Sequence, residues 1–144
     1  MTVTISDGVN TGATITYTIA LSDTNDQTPA VTVNANYATN EETTVFQTFT
    51  IVDTDSTGTY DCTLGGNDAD KFARTMSGKD CAVAWAAAPD ADAADADANG
   101  DGTYELTISF TDGTNVLGAQ ATSITLADTN DQTPAVTVNA NYAT

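Results

Sequence analysis

The segment DTNDQTPAVTVNANYAT occurs twice, from Asp23 to Thr39 and from Asp128 to Thr144, with an offset of 105 positions. Identity over that length excludes coincidence, so the chain is built on a repeat. The register also holds in front of the copies. Met1 to Thr39 lies over Leu106 to Thr144 without a gap, with TISDGVN falling on SFTDGTN and LSDTND on LADTND. Such a chain reads as a window on a tandem array, in which each unit touches only its neighbours. One complete unit fills residues 27-131; residues 1-26 hold the last strands of a preceding unit, and residues 132-144 the first strand of a following one.

What each unit folds into follows from its period. Thr, Val and Ile alternate with polar residues through AVTVNANY, VFQTFTIV, TYDCTL, CAVAW, YELTISFT and ATSITL, and Asp, Asn, Gly or Pro clusters bound every run. That is the strand signal. Strands are predicted near 30-37, 45-52, 59-64, 71-75, 80-86, 103-111 and 119-127. Seven of them suit an all-β, Greek-key, immunoglobulin-like sandwich repeated in tandem. Val31, Val33, Phe46 or its neighbour Phe49, Ile51, Leu64, Trp85, Leu106, Ile108, Phe110, Ile124 and Leu126 are the expected core. The tract AAAPDADAADADA crowds like charges beside Pro89 and is read as a loop or at most one helical turn.

Charge restricts partners. Twenty acidic residues face three basic ones with no histidine, a formal charge of −17. So negative a surface repels nucleic acid and anionic lipid. The acids either solvate the surface or wait as oxygen ligands for a hard cation. They gather at strand ends, where a sandwich collects its loops at two poles: Glu41 and Glu42, Asp53 and Asp55, Asp90 and Asp92, Asp112, then Asp128, Asn130 and Asp131. Calcium takes six to eight such oxygens. No run of eighteen apolar residues exists, so no membrane span is expected, and no charged-then-apolar leader follows Met1.

Alternation places Cys62 with Tyr60 and Leu64 on one face, and Cys81 with Val83 and Trp85 on one face. If both are core faces the thiols meet across the sandwich, as a disulfide or as two buried free thiols. A bridge would add roughly 3 kcal/mol of stability and indicate an oxidising, extracellular setting.

VDTDSTG, GGNDADKFA, APDAD, DANGDGTYELTISFTDG and LADTNDQTP follow one another in the order and spacing of the cadherin repeat. The unit most resembles the cadherin-like repeats of large bacterial surface proteins, and DxNDxxP is its most specific element. The resemblance implies Ca2+ at the joints between units. At the first joint it implies Asp23, Asn25 and Asp26 as ligands, Thr24 and Gln27 giving carbonyls, together with Asp53, Asp55 and Asp112 of the next unit. For the second it implies Glu41, Asp90 and Asp92 with Asp128, Asn130 and Asp131, and Asp7 would serve a joint upstream as Asp112 does. Glu41 is preferred to Glu42 because it lies twelve residues before Asp53, as in relatives. Asp90-x-Asp92 stands where relatives commonly carry Asp-x-Glu, so Asp95 is a candidate substitute; Gln27 and Gln132 replace the usual Asn.

DADANGDGTYEL, from Asp95 to Leu106, opens like an EF-hand loop through Asp95, Asp97, Asn99 and Asp101, but Leu106 occupies the twelfth position. It is an extra calcium loop or a polar turn leading into a strand. Catalysis is not expected: histidine and a glycine-rich phosphate loop are lacking, and the paired carboxylates recur at the repeat period. The expected function is a structural, calcium-binding repeat of an extracellular or cell-surface adhesin, stalk or fibre. Its partners would be neighbouring repeats, with homophilic, glycan or protein contacts also open. The alternatives are a glycan- or protein-binding recognition module, or a fibre subunit assembled by strand exchange between chains.

Overall fold

In the computed structural model, which describes residues 1–55, 58–92 and 97–136, the alternating runs become strands. These are β1 (Thr2–Val3), β2 (Ile15–Thr16), β3 (Asn36–Asn40), β4 (Val45–Thr50), β5 (Asp61–Gly65), β6 (Phe72–Ser77), β7 (Asp80–Trp85), β8 (Thr103–Thr111) and β9 (Val116–Ala127). A 3-10 turn at Ala69–Lys71 leads into β6. Strands β3-β9-β8-β5 form one sheet and β4-β7-β6 a second, and β1 pairs with β2 in a separate hairpin. All pairings are antiparallel except β3 with β9, which run parallel. The result is an all-β, immunoglobulin-like sandwich.

Six of the seven expected strands of the unit lie within a few residues of their predicted places. The first differs. A single strand over 30-37 is expected, but Ala30 makes only an isolated bridge to Val52, and the ladder to β9 begins at Asn36. The chain crosses between the two sheets in the intervening residues. Asn34 marks the crossing by giving its N–H to the Tyr37 hydroxyl (3.2 Å), while Ala35 accepts the Ser123 N–H (2.9 Å). Alternation alone cannot reveal such a switch, because Val31 and Val33 pack on the same core from either sheet.

Strand β8 shows the period most clearly, with Tyr104, Leu106, Ile108 and Phe110 all buried and their neighbours half-buried. Opposite them lie Phe49, Ile51, Val83 and Trp85. One of Phe46 and Phe49 was expected inside, and both pack on the core. A register shift between Val45 and Gln47 is the reason: an extra residue in β4 turns Phe46 toward the side that Phe49 faces. Phe46 meets Tyr37 edge-on at 5.2 Å between ring centroids, and Trp85 lies 4.3 Å from Phe72 and 4.8 Å from Tyr104. Phe72 and Tyr104 thus belong to the core as well. Each fully buried side chain of this size contributes about 1.5–3 kcal/mol.

Cys62 of β5 and Cys81 of β7 form a disulfide between the two sheets, with Cα atoms 6.3 Å apart. Both are buried. At the nearby sheet edge Arg74 of β6 pairs with Asp61 of β5 at 2.5 Å. Gly66, just after β5, has φ +102° and sits so close to β8 that a Cβ would stand 2.5 Å from the Glu105 carbonyl oxygen. Only glycine meets both conditions there.

The repeat seen in the sequence has an atomic counterpart. Strands β1 and β2 pair Thr2 with Thr16 and Val3 with Ile15, and 105 positions on β8 and β9 pair Thr107 with Ala121 and Ile108 with Gln120. The turns that follow β1 and β8 also match. In one, Asp7 Oδ1 accepts the N–H groups of Val9 (2.9 Å) and Asn10 (2.7 Å); in the other, Asp112 Oδ1 accepts those of Thr114 (2.7 Å) and Asn115 (2.6 Å). Gly8 and Gly113 share φ values of +95° and +93°.

Candidate metal centres at the two poles

The first pole gathers the linker of residues 23-27, the loop after β4 and the turn between β8 and β9. Asp55 Oδ2 accepts the main-chain N–H groups of Asp26 (3.0 Å) and Gln27 (2.9 Å), so the loop carboxylate holds the linker directly. Asp53 Oδ1 accepts the Asp55 N–H at 3.2 Å, and the Asp53 carbonyl receives Lys79 Nζ at 2.7 Å. Asp112 is buried. The amide of Asn115 donates to Asp112 Oδ2 (3.1 Å) and reaches Asn25 Oδ1 (3.1 Å) and the Asn25 carbonyl (3.3 Å). Asp23 is exposed, and its Oδ1 accepts the adjacent Thr24 N–H at 3.1 Å.

Burial pushes the Asp112 carboxyl up, but the N–H groups of Asn115 and Thr114 and the Asn115 amide outweigh it and hold the pKa below the ordinary 3.8. Asp55 behaves alike: desolvation raises its pKa, the N–H groups of Gln27 and Asp26 lower it further, and the net shift is downward. Both are therefore anions at neutral pH. Yet Asp55 Oδ1 is buried and has no hydrogen-bond partner among the described residues. A carboxylate oxygen withdrawn from water needs a donor or a cation.

Glu41, at the end of β3, organises the second pole. Buried to 3% exposure, it accepts the Ala91 N–H at Oε2 (2.7 Å) and the Thr129 N–H at Oε1. These bonds lower its pKa against the opposing effect of burial. Glu42 adopts a positive φ of 63°, gives its N–H to the Pro89 carbonyl (2.9 Å) and leaves its side chain exposed. Asp90 Oδ1 accepts the Asp92 N–H at 2.9 Å. Asp128 has a pKa above 3.8, raised first by the charge of Asp92, then by burial, then by the charges of Glu41 and Asp131. The charges of three other carboxylates therefore act on Asp128 here. Asn130 and Asp131 lie exposed on the linker.

Among the described residues, no group of three or more Asp, Glu or Cys side chains is arranged to hold a metal ion as it stands. The donor set nonetheless fits a hard cation in kind: carboxylate, amide and carbonyl oxygens from separate loops, one of them a buried oxygen without a partner among the described residues. Sequence reasoning missed Asn115. Its signal was present, because Asn follows Asp three places on in both copies of the turn, at Asn10 and Asn115.

In the EF-hand-like stretch the carboxylates cap backbone. Buried Asp97 accepts the N–H groups of Gly100 and Gly102, and Asp101 Oδ1 accepts that of Thr103 at 2.9 Å. Asp68, fully buried, accepts the Ala98 and Glu105 N–H groups at 2.6 and 2.7 Å and bolts the loop to the 3-10 turn. These bonds shape the described part of the stretch into turns that lead into β8. Asp95 lies outside the described residues, as do residues 137–144, which hold most of the expected following strand. No helix among the described residues is long and apolar enough to cross a membrane.

No family model and no curated protein matches the sequence. Solved structures do. The fold is similar to that of the protocadherin gammaB7 EC3-6 cis-dimer, with a TM-score of 0.54 and 21% identity over 76% of this chain. It is also similar to the protocadherin gammaB4 extracellular domain, with a TM-score of 0.52 and 23% identity over 76% of this chain. This chain spans 26% of the first solved chain and 17% of the second. The sandwich therefore has a cadherin-like fold.

Proposed function

We propose that the chain is a calcium-stiffened segment of a tandem cadherin-like array, part of an extracellular or cell-surface adhesin, stalk or fibre. The observation that carries this reading is that carboxylates of the sandwich grip the linker sequence at both poles. Asp55 holds Asp26 and Gln27 from the following side, and Glu41 holds Thr129 from the preceding side. Because residues 23-27 and 128-132 are the same sequence, one such joint in an array would be gripped from both directions.

Calcium, when bound, supplies positive charge to which oxygens of two units and their linker are drawn at once. Asp23, Asn25, Asp26, Asp53, Asp55 and Asp112 would hold it at the first joint, and Glu41, Asp90, Asp92, Asp128, Asn130 and Asp131 at the second. Uncompensated, carboxylates about 4 Å apart repel by roughly 1 kcal/mol in water and about 4 kcal/mol near a protein surface. The raised pKa of Asp128 is a symptom of that repulsion. Affinities on the order of 10⁻⁴–10⁻³ M are sufficient outside cells.

The division into residues 1-26, 27-131 and 132-144 belongs to the same proposal. Ile5 and Ile19 are 70% and 73% exposed, whereas their counterparts Phe110 and Ile124 are buried in the sandwich. The hairpin of β1 and β2 has the pairing of the last two strands of a unit, with its apolar residues awaiting the rest of that unit. A recognition role finds less support within the sandwich, where Tyr37 and Tyr60 are half-buried and Tyr104 is buried; Tyr17, after β2, is exposed, and Tyr142 lies outside the described residues.

Calorimetric titration with calcium, paired with small-angle scattering in calcium and in chelator, tests the reading. Saturable binding in the millimolar range with a longer, stiffer particle supports it. A scattering curve indifferent to both calcium and chelator overturns it.

A further inference from the structure

Asn115 lies in the turn between β8 and β9, and its side chain connects the sandwich to the linker. Its Nδ2 is 3.1 Å from Asp112 Oδ2, 3.1 Å from Asn25 Oδ1 and 3.3 Å from the Asn25 carbonyl. The orientation of the amide is set by chemistry: a carboxylate and a backbone carbonyl can only accept, so the group facing them must be the NH2. Two N–H bonds are thus shared among three oxygens. Asp112 and Asn25 are both among the ligands proposed for the first joint, so the amide occupies a point on which its oxygens converge.

The other copy of the turn shows that this reach is additional to the fold of the turn. Asn10 makes the same local contacts, with Nδ2 3.3 Å from Asp7 Oδ2 and its N–H on Asp7 Oδ1. The side-chain bond to the turn aspartate is made by asparagine in either copy. The bonds to Asn25 span 90 positions and tie the linker to the β8–β9 turn, beside the hold that Asp55 has on Asp26 and Gln27.

We propose that Asn115 is a metal-free latch of the first joint. Its amide holds linker and sandwich together when calcium is scarce and yields the oxygens of Asn25 and Asp112 when the ion arrives. A joint of this kind does not go fully slack on losing its ion. It changes between a neutral hydrogen-bonded closure and a cationic one, and the amide competes with the metal for the same oxygens. The part played by calcium rests on the function proposed above; the latch itself does not.

The experiment is hydrogen exchange across residues 23-27 in the full chain, measured in chelator and in saturating calcium chloride for wild type, Asn115→Ala and Asn115→Asp. Thermal unfolding followed by Trp85 fluorescence reports whether the sandwich stays intact. In chelator, both variants are expected to exchange the linker roughly fivefold faster than wild type, as the loss of about one hydrogen bond would give, while the sandwich still unfolds cooperatively at a midpoint lowered modestly by the lost bond to buried Asp112. In calcium the difference closes, and Asn115→Asp, which offers a further carboxylate, binds calcium more tightly than Asn115→Ala. Equal linker exchange for wild type and Asn115→Ala in chelator overturns the latch, whatever calcium does. An accelerated linker in chelator that calcium leaves unchanged in all three proteins keeps the latch and sinks the calcium reading.

Discussion

Asp55 Oδ2 accepts the backbone N–H of Asp26 at 3.0 Å and that of Gln27 at 2.9 Å, so one loop carboxylate fixes the direction in which the linker enters the sandwich. Its other oxygen is buried without a donor among the described residues. Under the function proposed above, an acid placed like this would have two tasks, one for each oxygen. Asp55→Ala removes both and Asp55→Asn removes the charge, leaving one oxygen as acceptor. Both are expected to lower calcium affinity at the first joint by at least roughly tenfold. Only Asp55→Ala should also free the amides of Asp26 and Gln27 to exchange in chelator. Equal exchange in the two variants would separate the hydrogen-bonding role from Asp55.

What was legible in the sequence divides along physical lines. Strand positions, the core of β8 and the facing cysteines follow from a period of two, which a single sequence displays openly. The crossing of the first strand between Ala30 and Asn36 does not, since it changes the pairing partner without changing which side chains face inward. The bulge in β4 is hidden for a related reason: a one-residue insertion breaks the parity that placed Phe46 and Phe49 on opposite faces. At the poles, the acids could be listed by loop, but which of them hold backbone amides is a property of three-dimensional loop closure. Asn115 was marked by the repeat alone, with Asn three places after Asp in both copies, because a neutral amide among so many carboxylates carries no signal of charge.

The bulge gives a test by substitution. If Phe46 and Phe49 both serve the core, each truncation opens a cavity, but not of equal cost. Phe49 is 2% exposed, so Phe49→Ala should destabilise by roughly 3–5 kcal/mol. Phe46 is half-buried against Tyr37 and Phe72, and Phe46→Ala should cost clearly less. Denaturant unfolding followed by circular dichroism measures both. A surface-like Phe46→Ala, with no loss of stability, would mean that the register shift in β4 is absent in solution.

The disulfide is a second element whose worth can be measured. Cys62 and Cys81 are 19 positions apart and join opposite sheets, so reduction releases a loop of ordinary length in the unfolded chain. Replacing both by Ala should reduce stability by roughly 3 kcal/mol while leaving the sandwich able to fold, since the aromatic cluster around Trp85 is made without it. Unfolding of the double variant beside oxidised wild type is the measurement. An unchanged midpoint would place the bridge outside the stabilising interactions of the fold.

Acid should act on Asp128 with the sign opposite to that for Glu41, Asp55 and Asp112. The pKa values of Glu41, Asp55 and Asp112 are held below the ordinary 4.5 and 3.8, so the stability they provide is present above those values and is lost as pH falls through their lower folded values. Asp128 is raised above 3.8 by the charge of Asp92, by burial and by the charges of Glu41 and Asp131, so its ionised form opposes folding. The stability that it offers is fully present below 3.8 and is lost as pH rises through its folded value. In chelator, stability should therefore increase slightly as pH falls toward 3.8 and then decline. Glu41→Gln removes one of the charges acting on Asp128, so the Asp128 pKa should move down toward 3.8 and the initial increase should shrink. Carbon-detected titration of the Asp128 carboxyl in wild type and Glu41→Gln, in chelator, measures this directly. An Asp128 pKa that the variant leaves in place would show that the carboxylates of the second pole do not share one field, and the case for a cation joining them would lose its electrostatic basis.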